Sequence, residues 1–150
     1  MVPNLKLLPI APHLSENKEF VDNPAIDQTN LQMSVDFYKK VGFQPPWIGY
    51  FVQLNNELVG MAAFKGKPVN NKVEIAYGVF AIYMNKGIGT AICRILVNLA
   101  LSTDPKVTVT ARTLPEENFS TKILRKNNFK LLGKIFDEED GDVWEWEYQK

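Results

Sequence analysis

At 150 residues, with 45% hydrophobic and 23% charged side chains, the chain has the make-up of one ordinary globular domain with enough apolar mass for a substantial core. Its 17 basic and 17 acidic residues cancel, which argues against an electrostatic grip on nucleic acid or on an anionic membrane. The single cysteine, Cys93, cannot form an internal disulfide, and the apolar opening Leu7-Leu8-Pro9-Ile10-Ala11-Pro12 is too short and proline-broken for a leader or a membrane span. The expectation is a single domain over residues 1–150, cytoplasmic, acting as a monomer or homodimer.

Leu5 to Ile10 predicts an edge strand, stopped by Pro9 and Pro12. From Ser15 to Phe43 the pattern is helical, broken at Asn23-Pro24 and resuming around Asn30, where Leu31, Val35 and Tyr38 share a face and Gly42 ends the run. Pro45-Pro46-Trp47 makes a stiff corner into a strand from Ile48 to Leu54. Asn55-Asn56 then turns the chain back into a second strand, Glu57 to Phe64, with Gly60 as its weak point. Past the loop Lys65 to Asn71, the segment Lys72 to Val79 alternates: Val73, Ile75, Tyr77 and Val79 lie on one face, Glu74, Ala76 and Gly78 on the other.

After a bend at Asn85-Lys86-Gly87-Ile88-Gly89-Thr90 the period changes. Thr90, Arg94, Asn98 and Ser102 recur four apart, a narrow polar stripe on a helix whose other faces are apolar and include Cys93, which reads as a packing residue. A strand that ends in a glycine-bearing turn opening a helix directs unpaired N–H groups and a positive dipole end at one point. Gly87 and Gly89 permit close backbone approach and positive φ angles, and Lys86 adds a charge. At this level two readings stand: a tight turn, or a phosphate cradle. A Walker A loop is excluded because Lys86 precedes the glycine, and a dinucleotide fingerprint because Ile92 stands where glycine or alanine is needed.

Pro105 restarts the chain, and the alternation of Val107, Val109 and Ala111 with Thr108, Thr110 and Arg112 predicts a fifth strand, parallel to Lys72–Val79 because a helix crosses between them. Pro115-Glu116-Glu117-Asn118 opens a short helix from Phe119 to Asn127 with Asn118 as a plausible N-cap, closed by Asn127-Asn128. Leu131 to Phe136 and Val143 to Tyr148 form a closing hairpin, Trp144 and Trp146 on its packed face and Glu145 and Glu147 on its wet one. The acidic run Asp137 to Asp142 lacks the glutamate that would complete an EF-hand, Tyr148 standing there, and reads as a solvated turn with no metal.

Two motifs in order resemble the GNAT N-acetyltransferases. The first is the turn at Gly87 and Gly89; the family's leading Arg/Gln falls on Met84. The second is Pro115 to Phe129, similar to Pro-x-Asn-x-x-Ser with a Leu-x-Lys-x-Gly-Phe ending and matched by Asn118, Ser120, Leu124, Lys126 and Phe129. With Val73 to Gly78 the likeness is to the branch that includes the ribosomal-protein alanine acetyltransferases. It implies an α+β fold, a mixed and mainly antiparallel sheet splayed at a central parallel strand pair, with helices on both faces. It also implies acetyl-CoA as cosubstrate, bound by Gly78, Val79, Asn85, Lys86, Gly87, Ile88, Gly89, Thr90 and Asn118, and an amine acceptor. Family members often use a tyrosine at the place of Leu124 as general acid, so Ser120 is the proton donor implied here. A protonated amine must lose its proton before attack, and Glu74 on the strand's outer face is the candidate base. Trp47 and Tyr77 are candidate walls of the acceptor pocket. A rival reading, favoured by Met84 and Leu124, is a non-catalytic acyl-CoA-binding or sensing domain.

Overall fold

The computed structural model describes residues 4–150. Seven segments pair into one sheet: β1 (Leu5–Pro9), β2 (Gly49–Leu54), β3 (Glu57–Phe64), β4 (Lys72–Val79), β5 (Thr108–Thr113), β6 (Phe129–Asp137) and β7 (Gly141–Tyr148). They run in the order β1-β2-β3-β4-β5-β7-β6. Every neighbouring pair is antiparallel except β4 and β5, which are parallel from Lys72↔Thr108 to Ile75↔Ala111. Helix α2 (Ile88–Thr103) makes the crossover that a parallel pair requires. The expected mixed sheet is therefore observed. The closing hairpin turns inward, so that β7 pairs with β5 and β6 takes the edge.

Helices cover both faces. On the face of Ile75, Tyr77 and Val79 lie α2 and α3 (Phe119–Lys126), with Leu96, Ile92 and Cys93 of α2 and Leu124 of α3 sealed from water. Burial pushes the Cys93 thiol up to about 12, which suits the packing role expected of it. On the face of Glu74 and Ala76 lies α1 (Gln28–Val41), capped by Asp27, whose side chain accepts from the Thr29 amide at 2.9 Å.

Two expectations need correction. Helical material from Ser15 onward is replaced by a single 3₁₀ turn, Leu14–Glu16, and further turns. The reason is Asn17: its buried amide holds Ala11 at 2.8 and 3.1 Å and the His13 carbonyl at 2.9 Å, committing the chain to a loop. On β7, Trp146 is fully buried and its Nε1 donates to Thr113 at 3.0 Å. Glu145 and Glu147, however, are half-buried rather than wet, and Val143 on their face is buried.

The polar tie between α1 and the sheet is a phenol, set beside the buried Leu31 and Val35. Tyr38 donates to the Ile10 carbonyl and accepts from the Gly49 amide, each at 2.9 Å, and burial pushes its pKa up to about 12. Tyr38→Phe is expected to cost about 1–3 kcal/mol in urea unfolding, because buried backbone groups lose their partner. Since the unfolded phenol ionises near pH 10 while the folded one keeps its proton, stability should fall as pH rises from about 10 to about 12. The Phe variant should lose its share of that slope.

Candidate active site

Beyond Ile75 and Ala111, β4 and β5 part. The amide of Phe80 donates to Val59 and that of Lys65 to Glu74 across the β3 side. This register sets the parity of β4: even-numbered residues exchange hydrogen bonds with β3, and the backbone of Tyr77 and Val79 is directed at the gap. A cavity of about 90 Å³ opens there between Ile75–Tyr77, Ala111–Thr113, Ser120 and Leu124. A free N–H in such a gap is an oxyanion donor in waiting.

Beside the gap, α2 begins at the glycine turn. Gly87 is its N-cap with φ +80°, in the left-handed region, and Asn85 before it is left-handed as well (φ 64°). No side chain caps α2, whereas Asp27 caps α1 and Asn118 caps α3. The first-turn amides of Ile88, Gly89 and Thr90 are thus left to an external acceptor. The turn borders a cavity of about 220 Å³ shared with Phe119, Lys122, Ile123 and Lys126 of α3. Lys86 lies 5.9 Å over the Tyr83 ring and Gly78 is exposed at the end of β4. The two glycines differ in purpose: a Cβ on Gly87 would meet open space, while one on Gly89 would stand 2.5 Å from Ile123 Cδ1 and 3.2 Å from Val79 Cγ2. Gly89 is a packing glycine that lets α2 close on α3 and β4.

Asn118 accepts from the Thr121 amide at 3.0 Å and its own amide donates to Thr121 Oγ1 at 2.9 Å, a reciprocal capping box. Capping therefore belongs to Asn118 and Thr121, and the Ser120 hydroxyl makes no hydrogen bond among the described residues. Ser120 is half-buried on the rim of the gap, and its carbonyl accepts from the Tyr77 hydroxyl at 3.2 Å. Burial pushes the Tyr77 phenol far up, so it stays neutral. Leu124 beside it is fully buried and has no proton to give.

Glu74 lies on the opposite face from Ser120, so the structure does not bring the two together. Its carboxylate is 3.3 Å from Lys65 Nζ and 3.7 Å from Arg112 Nε. Arg112 also reaches Asp137 at 2.6 Å and Glu145 at 3.6 Å. Asp137 in turn accepts from the amides of Glu139 and Asp140; these bonds and Arg112 hold its carboxyl below the usual carboxylate range. The acidic turn is thereby fixed over a cavity of about 390 Å³, walled by Met33, Phe37 and Met61 and edged by Lys65, Glu139 and Asp140. Sequence reasoning missed this cavity, since its walls come together only when α1 packs on β2 to β4 and the β6–β7 turn reaches their edge. Trp47 is not itself in this lining, but it packs edge-on against Phe64, which is, with ring centroids 5.1 Å apart.

Residues 10–130 match the family model of the acetyltransferase (GNAT) domain. No curated protein matches the chain. Among solved structures, the aminoglycoside acetyltransferase AAC(6′)-Ib in complex with coenzyme A has a TM-score of 0.71 at 19% identity, over 98% of this chain and 95% of that one. RimL, a ribosomal L7/L12 α-N-protein acetyltransferase, has a TM-score of 0.69 at 16% identity, over 100% and 93%. The microcin C7 self-immunity acetyltransferase MccE, in complex with acetyl-CoA and AMP, has a TM-score of 0.69 at 15% identity, over 97% and 92%. At these identities the likeness is one of fold.

The contrast between the two turn glycines is measurable by thermal unfolding. Gly89→Val should cost about 1–3 kcal/mol by overpacking against Ile123, and Gly87→Ala about 1 kcal/mol for the left-handed backbone alone. A Gly89→Val melting point no lower than that of Gly87→Ala would mean that Ile123 yields without strain.

Proposed function

Because the chain belongs to the GNAT acetyltransferase family, we propose that it moves the acetyl group of acetyl-CoA directly to a primary amine, on a small molecule or at a protein or peptide N-terminus. The observation that carries this reading is the parting of β4 and β5 beside the one described α-helix whose N-terminus no side chain caps. That end offers convergent amides from Ile88, Gly89 and Thr90, flanked by Asn85 and Lys86, to the cofactor's pyrophosphate. The thioester arm then follows Gly78 and Val79 into the gap, where the Val79 amide polarises the acetyl carbonyl. Asn118, through its side-chain amide at the head of α3, is the outermost contact assigned to the cofactor.

The two faces of the sheet divide the proton work. The amine enters from the α1 face, where Glu74 takes its proton directly or through water. Its nitrogen forms the new bond to the acetyl carbon as the carbon–sulfur bond breaks. The thiolate leaves on the α3 face, where Ser120 supplies a proton and takes back, through water, the second proton that the acylated nitrogen sheds. A base and an acid on opposite faces fit a reaction whose partners arrive from opposite sides, and alignment in the gap supplies much of the rate. The apolar walls and acidic edge of the α1-side cavity support an amine acceptor.

Coenzyme A should raise the melting temperature through linkage, and no shift at millimolar concentration would count against the assignment. Ser120→Ala should lower kcat by about a hundredfold while CoA affinity and melting temperature stay put, because the cap is built by Asn118 and Thr121. Full turnover would remove Ser120 from the mechanism. Release of CoA thiol is the assay; silence across all amine classes despite tight CoA binding would favour an acyl-CoA sensor.

A further inference from the structure

The polar stripe of α2 continues past the glycine turn, and acetyl transfer leaves its outer members without a role. Arg94 and Asn98 border a depression of about 230 Å³ whose other wall is Lys126, Asn127 and Asn128 at the end of α3. Lys126 also lines the cavity at the glycine turn, so the two spaces adjoin at this side chain. No carboxylate lines either part. Arg94 and Lys126 make no ion pair among the described residues, while Arg125, next to Lys126, turns away to Glu117. Asn127 is committed to the wall: its side-chain amide donates to the Thr90 and Ile123 carbonyls at 3.1 and 3.0 Å.

Charge and spacing point to one kind of occupant. Arg94 lies five residues beyond Gly89, about 7 Å along the helix axis. In coenzyme A the pyrophosphate and the 3′-phosphate monoester sit on the same ribose, one sugar ring apart. The C-terminal end of α3 opposes an anion with about half an elementary charge, against two full positive charges from Arg94 and Lys126. The cations prevail, and a guanidinium suits a phosphate's paired oxygens.

Resting on the acetyl-CoA reading above, we propose that this depression binds the 3′-phosphate of coenzyme A through Arg94 and Lys126, so that the protein distinguishes coenzyme A from 3′-dephospho-coenzyme A. Calorimetric titration of both compounds into the wild type and an Arg94→Gln/Lys126→Gln variant tests this. Both side chains are exposed, so the variant should fold. Wild type should bind coenzyme A about tenfold or more tightly than the dephospho form, with the preference shrinking as salt is raised. In the variant the two compounds should bind equally, coenzyme A losing more affinity than dephospho-coenzyme A, whose own loss is confined to the share Lys126 contributes at the glycine turn. Equal wild-type affinities, or a preference surviving in the variant, overturn the inference and leave the acetyl-CoA reading standing. Binding of neither compound sinks both.

Discussion

The whole arrangement depends on a hydrogen-bonded ladder that stops early. β4 and β5 pair over only four positions, Lys72–Ile75 with Thr108–Ala111, and then separate. Backbone left unpaired inside a protein is costly, so the separation must be held open. Each strand is anchored on its far side, β4 to β3 and β5 to β7. Trp146, sealed from solvent, fixes Thr113 of β5 by its indole N–H, and Tyr77 of β4 is fastened to α3 through the Ser120 carbonyl. The gap is thus flanked by two aromatic side chains, each spending its polar tip on a neighbour that would otherwise be free to close it.

Net neutrality conceals a division of charge. The two hollows along α2 and α3 are lined by Arg94, Lys122 and Lys126 and by no carboxylate, whereas the cavity beside α1 carries Glu139 and Asp140 with Lys65. Arg112 lies between Glu74, Asp137 and Glu145 on the latter side, which concentrates ion pairs there. A polyanion and a cationic amine would meet complementary surroundings on opposite faces, although the sum of charges reveals neither.

Much of this was legible in the sequence because it is local. Alternation located the sheet segments, the glycines marked the turn before α2, and Asn118 announced the cap of α3, since each depends on neighbours within a few residues. Long-range matters were hidden. Nothing local says that Asn17 would hold Ala11 and keep Ser15 to Asn23 from becoming helical, or that β7 would enter between β5 and β6. Gly89 read as room for a ligand, yet its constraint comes from Ile123 on another helix. Glu74 and Ser120 could be named as single residues, but their placement on opposite faces required the register of β4 against β5.

The ionic fastening of the β6–β7 turn has a consequence for how such a protein can change over generations. The cavity at the glycine turn of α2 is formed by residues 85–126, while the walls of the α1-side cavity come from residues 30–76 and the distant 139–140, held down through Arg112 and Asp137. Substitutions at Met33, Phe37, Glu139 or Asp140 therefore reshape this cavity while leaving the turn that opens α2 intact. The shape of one face can thus vary through a helix and a turn while the parting of β4 and β5 stays fixed by its own strands.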